Sequence, residues 1–152
     1  LYAPQAFFFY LATYAFATLG SFAVIVSLDK TKEGVSLDNL RGLYYRSPIL
    51  AIIFVVALLT LAGIPPTVGF FAKFYIFKLA IAAKLYTLVV VALVTTVLSA
   101  FYYLRIVGLL FSENKEEGKE LAVQLPTVLT ALASSAALLL FSSLPALLLD
   151  WI

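Results

Sequence analysis

The residues best suited to chemistry lie together in LTLAGIPPTVGFFAKFYIF, residues 59–77, where an apolar run is interrupted by Gly63-Ile64-Pro65-Pro66 and carries one lysine, Lys73. Pro65 and Pro66 remove two backbone donors, and each pushes the residue before it out of helical geometry. The spacing predicts one helix ending near Gly63 and a second starting near Thr67, whose hydroxyl is a candidate N-cap. That second start has free N–H groups and a partial positive charge, and Gly69 lets a neighbour approach. Lys73 follows within two turns, among Phe70, Phe71, Phe74 and Phe77. Desolvation and the positive helix end both work against its charged form. A lysine brought towards neutrality can take up and release a proton as water or a neighbouring charge comes and goes.

The rival reading of Lys73 is structural: the side chain snorkels, or pairs with a carboxylate on another helix. No carboxylate lies inside any apolar run, and Asp150 stands at the far end of the last one. Such a partner would have to come from elsewhere. An ionisable residue at a helix break within an apolar run favours the functional reading. Lys78, five residues on and about 140° around the helix, is either a snorkelling anchor or a next proton station. Arg105, in FYYLRIVGLLF, stays charged and suits electrostatic tuning or lipid headgroups better than proton exchange. Its neighbours Tyr102 and Tyr103 are interface anchors or part of a hydrogen-bonded chain.

These side chains must be positioned by membrane helices. Hydrophobic residues make up 64% and charged residues 12% of the 152, with a mean hydropathy of +1.08, against about 45–50% apolar in soluble domains. The composition is that of an integral membrane protein. Ten scattered Lys and Arg and a net charge of +2 make no case for nucleic acid. With no Cys and no His, disulfides, thiol chemistry and the usual zinc and haem ligands are removed, so no cofactor is expected in this chain. The sequence begins at Leu1 and holds no Met, which reads as part of a longer polypeptide.

Apolar runs cover 6–28, 48–83, 86–111 and 125–149, against roughly 20 residues for one crossing. The second is too long for one straight helix and is split near 63–67. Polar loops at 29–47 and 112–124 separate the runs. In the first, Ser36-Leu37-Asp38 is placed to cap a short interfacial turn, with Tyr44 and Tyr45 at headgroup level. If 48–83 crosses once, both loops share a side holding Lys30, Lys32, Arg41, Arg46, Lys115 and Lys119, while the other side holds little but Lys84. Two crossings would weaken that bias, so the positive-inside rule selects four crossings with both loops cytoplasmic. Tyr10, Thr13, Tyr14, Thr18 and Ser21 share one side of the first helix, and Thr95, Ser99 and Tyr102 form a stripe on the third. The last helix carries a small-residue belt, Ala131, Ala133, Ser134, Ser135, Ala136 and Ala137. Helix packing is the plain reading of all three stripes, and a proton path along the hydroxyls is the other.

LTLAGIPPTVGFFAKFYIF followed by SAFYYLRIVGLLF, and preceded by FYLATYAFATLGSFAVI and LDNLRGLYYRSP, resembles the antiporter-like membrane subunits of proton-pumping NADH:quinone oxidoreductase, respiratory complex I. The similarity is greatest to the N-type subunit and covers nearly the whole chain. It implies an all-α integral membrane fold of fourteen helices, of which this chain is the last four, with the second of these discontinuous at Gly-Ile-Pro-Pro. By motif, Lys73 matches the family's proton-site residue on the broken helix. Gly63, Pro65 and Pro66 match the discontinuity, with Thr67 beside it, and Tyr102, Tyr103 and Arg105 match the tyrosine-rich end of the next helix. The resemblance implies proton translocation as a non-redox subunit, partnered by other membrane-arm subunits, lipid, water and protons, in a bacterial inner membrane or its equivalent. Cation/proton antiporter and membrane-bound hydrogenase subunits share the fold. The lysine in GFFAKFY and the SPxxA-like start at Ser47–Ala51 favour the N-type subunit. A membrane anchor without transport is the third reading.

Overall fold

The computed structural model describes residues 3–29, 34–112 and 125–149, with the side chains at 125–127 and 141–149 outside the description. Lys30, Lys32, Lys115, Lys119, Asp150 and nearly all of the second loop therefore lie outside the described residues. Every regular element among those described is helical: α1 (Ala3–Leu28), α2 (Leu37–Leu40), α3 (Leu43–Arg46), α4 (Pro48–Ala62), α5 (Val68–Ala82), α6 (Tyr86–Leu110) and α7 (Leu125–Leu149). Two of them, α1 and α6, are long and apolar enough to cross a membrane. α4 and α5 have 15 residues each, about 22 Å at 1.5 Å per residue, short of the roughly 30 Å hydrocarbon layer.

Residues 34–47 of the first loop are more structured than a polar connection, because side chains within them satisfy backbone groups. Asn39 Oδ1 accepts from the Ser36 N–H at 2.8 Å and from the Ser36 hydroxyl at 2.6 Å, which fixes the start of α2. Arg46 donates to the carbonyls of Asn39 and Arg41, tying α3 back onto α2. The Gly42 N–H donates to Leu109 O at 3.2 Å, and the Tyr44 and Phe111 rings lie 5.1 Å apart. The loop and the C-terminal end of α6 are thus at the same end of the bundle.

Pro48 opens α4 at a position where its missing N–H would have had no intrahelical partner. α4 is the most central helix: Leu50, Ala51, Phe54, Ala57 and Leu58 are all buried. Leu50, Ala51, Phe54 and Leu58 pack with Ala23, Val24, Leu43, Ile106, Leu110 and Ala131 from α1, α3, α6 and α7. α1 and α7 run antiparallel, with Gly20 beside Ser134 and Ala17 clustered with Leu138. Only one side of the small-residue belt on α7 meets protein: Ala131, Ser134, Ser135 and Leu138, at helical spacing, are buried, whereas Ala133 and Ala136 are exposed. α6 lies at the margin, and its Val97, Leu98 and Phe101 are 69%, 66% and 74% exposed.

Candidate functional site

α4 stops at Ala62 because Gly63 turns left-handed, at φ 76°, a conformation open to glycine at no steric cost. The Gly63 N–H donates to Leu59 O and Thr60 O, and the Ile64 N–H to Leu59 O. A turn closed by Thr67 N–H to Ile64 O at 2.9 Å, containing a cis Pro65–Pro66 peptide, then leads into α5. Thr67 occupies the N-cap position, but its hydroxyl does not cap α5. It reaches 3.5 Å back to Leu59 O, in the last turn of α4. The expected cap is instead a tie between the two helices.

The four carbonyls at the end of an α-helix need outside partners. Leu59 O and Thr60 O are satisfied by the turn, which leaves those of Leu61 and Ala62. Lys73 supplies both: Nζ donates to Leu61 O at 2.9 Å and to Ala62 O at 3.2 Å. The partners of the lysine are thus backbone carbonyls rather than a carboxylate. The ammonium stands where the negative end of α4 meets the positive end of α5, so the two helix dipoles act on it with opposite sign. Of the four phenylalanines near it in sequence, Phe70 stacks on Phe74, and Phe74 itself is 51% exposed.

Two glycines make this reach possible. A Cβ on Gly63 would sit 2.9 Å from Lys73 Cδ, and a Cβ on Gly69 would sit 1.8 Å from Thr60 O. Gly69 and Lys73 are four residues apart and share a helix face. The bare face at Gly69 rests on the carbonyl of Thr60, and one turn later Lys73 meets those of Leu61 and Ala62.

Beyond the lysine lies a cleft of about 240 Å³ lined by Lys73, Leu61, Tyr10, Tyr14, Thr95, Thr96, Ser99 and Tyr103. The Tyr10 and Tyr14 rings stack at 6.2 Å. The Thr95 and Ser99 hydroxyls donate to Ala92 O and Thr95 O in their own helix, which leaves their lone pairs as acceptors. Of the tyrosine pair on α6, Tyr103 lines the cleft while Tyr102 is 54% exposed outside it. On α6 the cleft is therefore lined by Thr95, Ser99 and Tyr103, about 80° of drift over two steps of four, rather than by the Thr95, Ser99, Tyr102 stripe. Lys78 and Arg105 are exposed and are not among the residues lining the cleft. Thr96 was missed in the sequence, since its neighbour Thr95 accounted for the stripe. Among the described residues no group of three or more His, Cys, Asp or Glu is gathered in one place.

Residues 1–99 match the family described as NADH:quinone oxidoreductase/Mrp antiporter, TM. The chain belongs to that family. It is 51% identical over 144 residues to NADH-quinone oxidoreductase subunit N of Protochlamydia amoebophila (strain UWE25), an alignment covering 95% of this chain and 30% of that protein. It is 44% identical over 149 residues to the same-named protein of Saccharopolyspora erythraea, covering 94% of this chain and 28% of the relative. Its structure is similar, at a TM-score of 0.83 and 37% identity, to a chain of respiratory complex I from Thermus thermophilus with bound aureothin, over 96% of this chain and 34% of that one. This NADH:quinone oxidoreductase/Mrp antiporter family member is an integral membrane protein. It spans about 30% of the length of the curated relatives it matches.

Proposed function

We propose that this chain is the C-terminal transmembrane part of an N-type subunit of a proton-pumping NADH:quinone oxidoreductase, in which Lys73 exchanges protons with the polar cleft. One observation carries the reading: the Lys73 amine joins the interrupted end of α4 and also lines a cleft furnished with hydroxyl groups. A lysine held only as a structural cap would not need Tyr10, Tyr14, Thr95, Thr96, Ser99 and Tyr103 around it. Water in the cleft, relayed by these hydroxyls, gives the amine a route to one side of the membrane. The coupling energy arrives as a change in charge or hydration beside Lys73, which must interact differently with its two protonation states. No redox step takes place in this chain, and its partners are the other membrane-arm subunits of the parent complex.

In this reading α4 and α5 cross the membrane once, as two halves of a discontinuous helix. The bond from Gly42 to Leu109 and the Tyr44–Phe111 contact support it. With one crossing, α6 returns to the side of the 29–47 loop, whereas with two it would end on the opposite side. Residues 1–152 then form the last four of fourteen helices, with loops 29–47 and 112–124 facing the cytoplasm of a bacterial inner membrane. Lys78 and Arg105 act at the margins, on lipid headgroups or on the local field.

A cation/proton antiporter subunit is the second reading, favoured by the breadth of the matched family. A sodium or potassium site would call for oxygen ligands within the membrane. Sodium-dependent transport by the purified parent complex would support that reading. The deciding experiment is Lys73→Met in the full-length subunit, with assembly confirmed and quinone-linked electron transfer and proton uptake measured together in vesicles. Proton uptake is expected to fall by about tenfold or more. Wild-type rates for both would make the lysine structural and end the proposal.

A further inference from the structure

Behind Lys73, on the side away from α6, a second and much smaller space of about 10 Å³ lies between α1, α4 and α5, lined in part by Tyr10, Thr13, Tyr14, Thr60, Gly69 and Lys73. Thr13 is 3% exposed, and its hydroxyl has no hydrogen-bond partner among the described residues. A hydroxyl on a helix ordinarily donates to the carbonyl four residues back, as Ser21 does to Ala17 O. A buried hydroxyl without a partner is costly, and such groups are usually satisfied by internal water. An ammonium has three donors, and among the described residues two on Lys73 are taken, by Leu61 O and Ala62 O.

We propose that this pocket is a single-water site, in which one ordered water links the Thr13 hydroxyl to the Lys73 amine and makes Thr13 a positioning residue for the lysine. The volume suits one molecule, since a water needs roughly 10–15 Å³ and two to four polar partners. Thr60 contributes a further acceptor, because its hydroxyl donates to Val56 O at 2.7 Å and keeps its lone pairs. The missing side chain at Gly69 keeps the wall of the pocket close to Thr60.

The chemistry explains why a hydroxyl and a water are needed together. A charged Lys73 donates to its third partner, whereas a neutral amine must accept from it. Water and hydroxyl both donate and accept, so the bridge reverses its polarity when the proton leaves, with no movement of backbone. The Leu61 and Ala62 carbonyls accept in either state. The functional half of this inference rests on proton exchange at Lys73; the water site does not.

Two measurements test it in the full-length subunit within its assembled complex. A map at a resolution that displays ordered water is expected to hold one density peak within hydrogen-bond reach of both Thr13 Oγ1 and Lys73 Nζ, lost in Thr13→Val. Proton uptake at saturating quinone is expected to fall about five- to tenfold in Thr13→Val, the effect of one net hydrogen bond. Thr13→Ser, which keeps the hydroxyl, is expected to stay near wild type. A purely structural threonine would not produce that split, because valine has the same shape and packs at least as well in an apolar wall. No density in the wild-type pocket would overturn the site. Density with wild-type pumping in Thr13→Val would overturn the positioning role. Failure of the Lys73→Met experiment would remove the proton-exchange reading and leave the density result standing.

Discussion

At the scale of single residues, the site depends as much on glycines as on the lysine. Gly69→Ala would press a methyl group onto Thr60 O, 1.8 Å away, so α4 and α5 must separate and Lys73 must lose its reach. Overpacking of this kind costs about 1–3 kcal/mol. Thermal unfolding of the assembled complex should therefore shift to lower temperature, with proton uptake reduced as well. Gly108→Ala is the control: nothing among the described residues lies within 4 Å of the added Cβ, and helix propensity favours alanine by about 1 kcal/mol or less, so no loss is expected. The tyrosine pair separates in the same way. Tyr103→Phe removes a hydroxyl from the cleft and should lower proton uptake about two- to tenfold, while Tyr102→Phe, on the exposed side, should leave it unchanged. Equal effects would mean that the cleft is not the route. Lys73 itself was legible in the sequence as an ionisable group in an apolar run. Its partners were not, because backbone carbonyls carry no residue-type signature.

At the scale of elements, the interruption between α4 and α5 divides about 45 Å of helix into halves that do not reach across the membrane separately. Gly63 ends the first half, and the Pro pair prevents its continuation. The orientation this implies is open to direct measurement, since the chain carries no cysteine. With other cysteines of the subunit removed, Tyr45→Cys and Lys84→Cys should react with a membrane-impermeant maleimide from opposite sides. Labelling from the same side would mean that the two halves cross separately, and α6 would then have to be placed differently. The loop at 29–47 was read as polar connection with a capped turn. It holds α2 and α3 because Asn39 and Arg46 satisfy its backbone over separations of three to seven residues, a range that apolar periodicity does not report.

At the scale of the whole molecule, the distribution of exposure separates buried helices from marginal ones. α4 is enclosed by α1, α3, α6 and α7, whereas α6 presents Val97, Leu98 and Phe101 outwards. Such a surface is at home against lipid or the remainder of a longer subunit, not against water. The 152-residue fragment expressed alone should stay in the membrane pellet after alkaline carbonate extraction; release into the supernatant would contradict the membrane reading. The polar cleft is an affair of the whole molecule too, since its lining comes from α1, α4, α5 and α6.

Local physics made much of this protein readable from residue order. Apolar run lengths marked the helices, the missing proline N–H marked the interruption, and an ionisable side chain close after that interruption singled out Lys73. Each of these properties acts within a few neighbouring residues and needs no knowledge of what packs where. The packing of separate helices decided the rest. It brought Lys73 onto carbonyls 11 and 12 residues upstream and turned the Thr67 hydroxyl from a cap into a tie. It also selected Tyr103 over Tyr102 and enclosed Thr13 beside the lysine. Those outcomes depend on how closely separate helices approach, and between α4 and α5 the missing Cβ at Gly69 allows that approach.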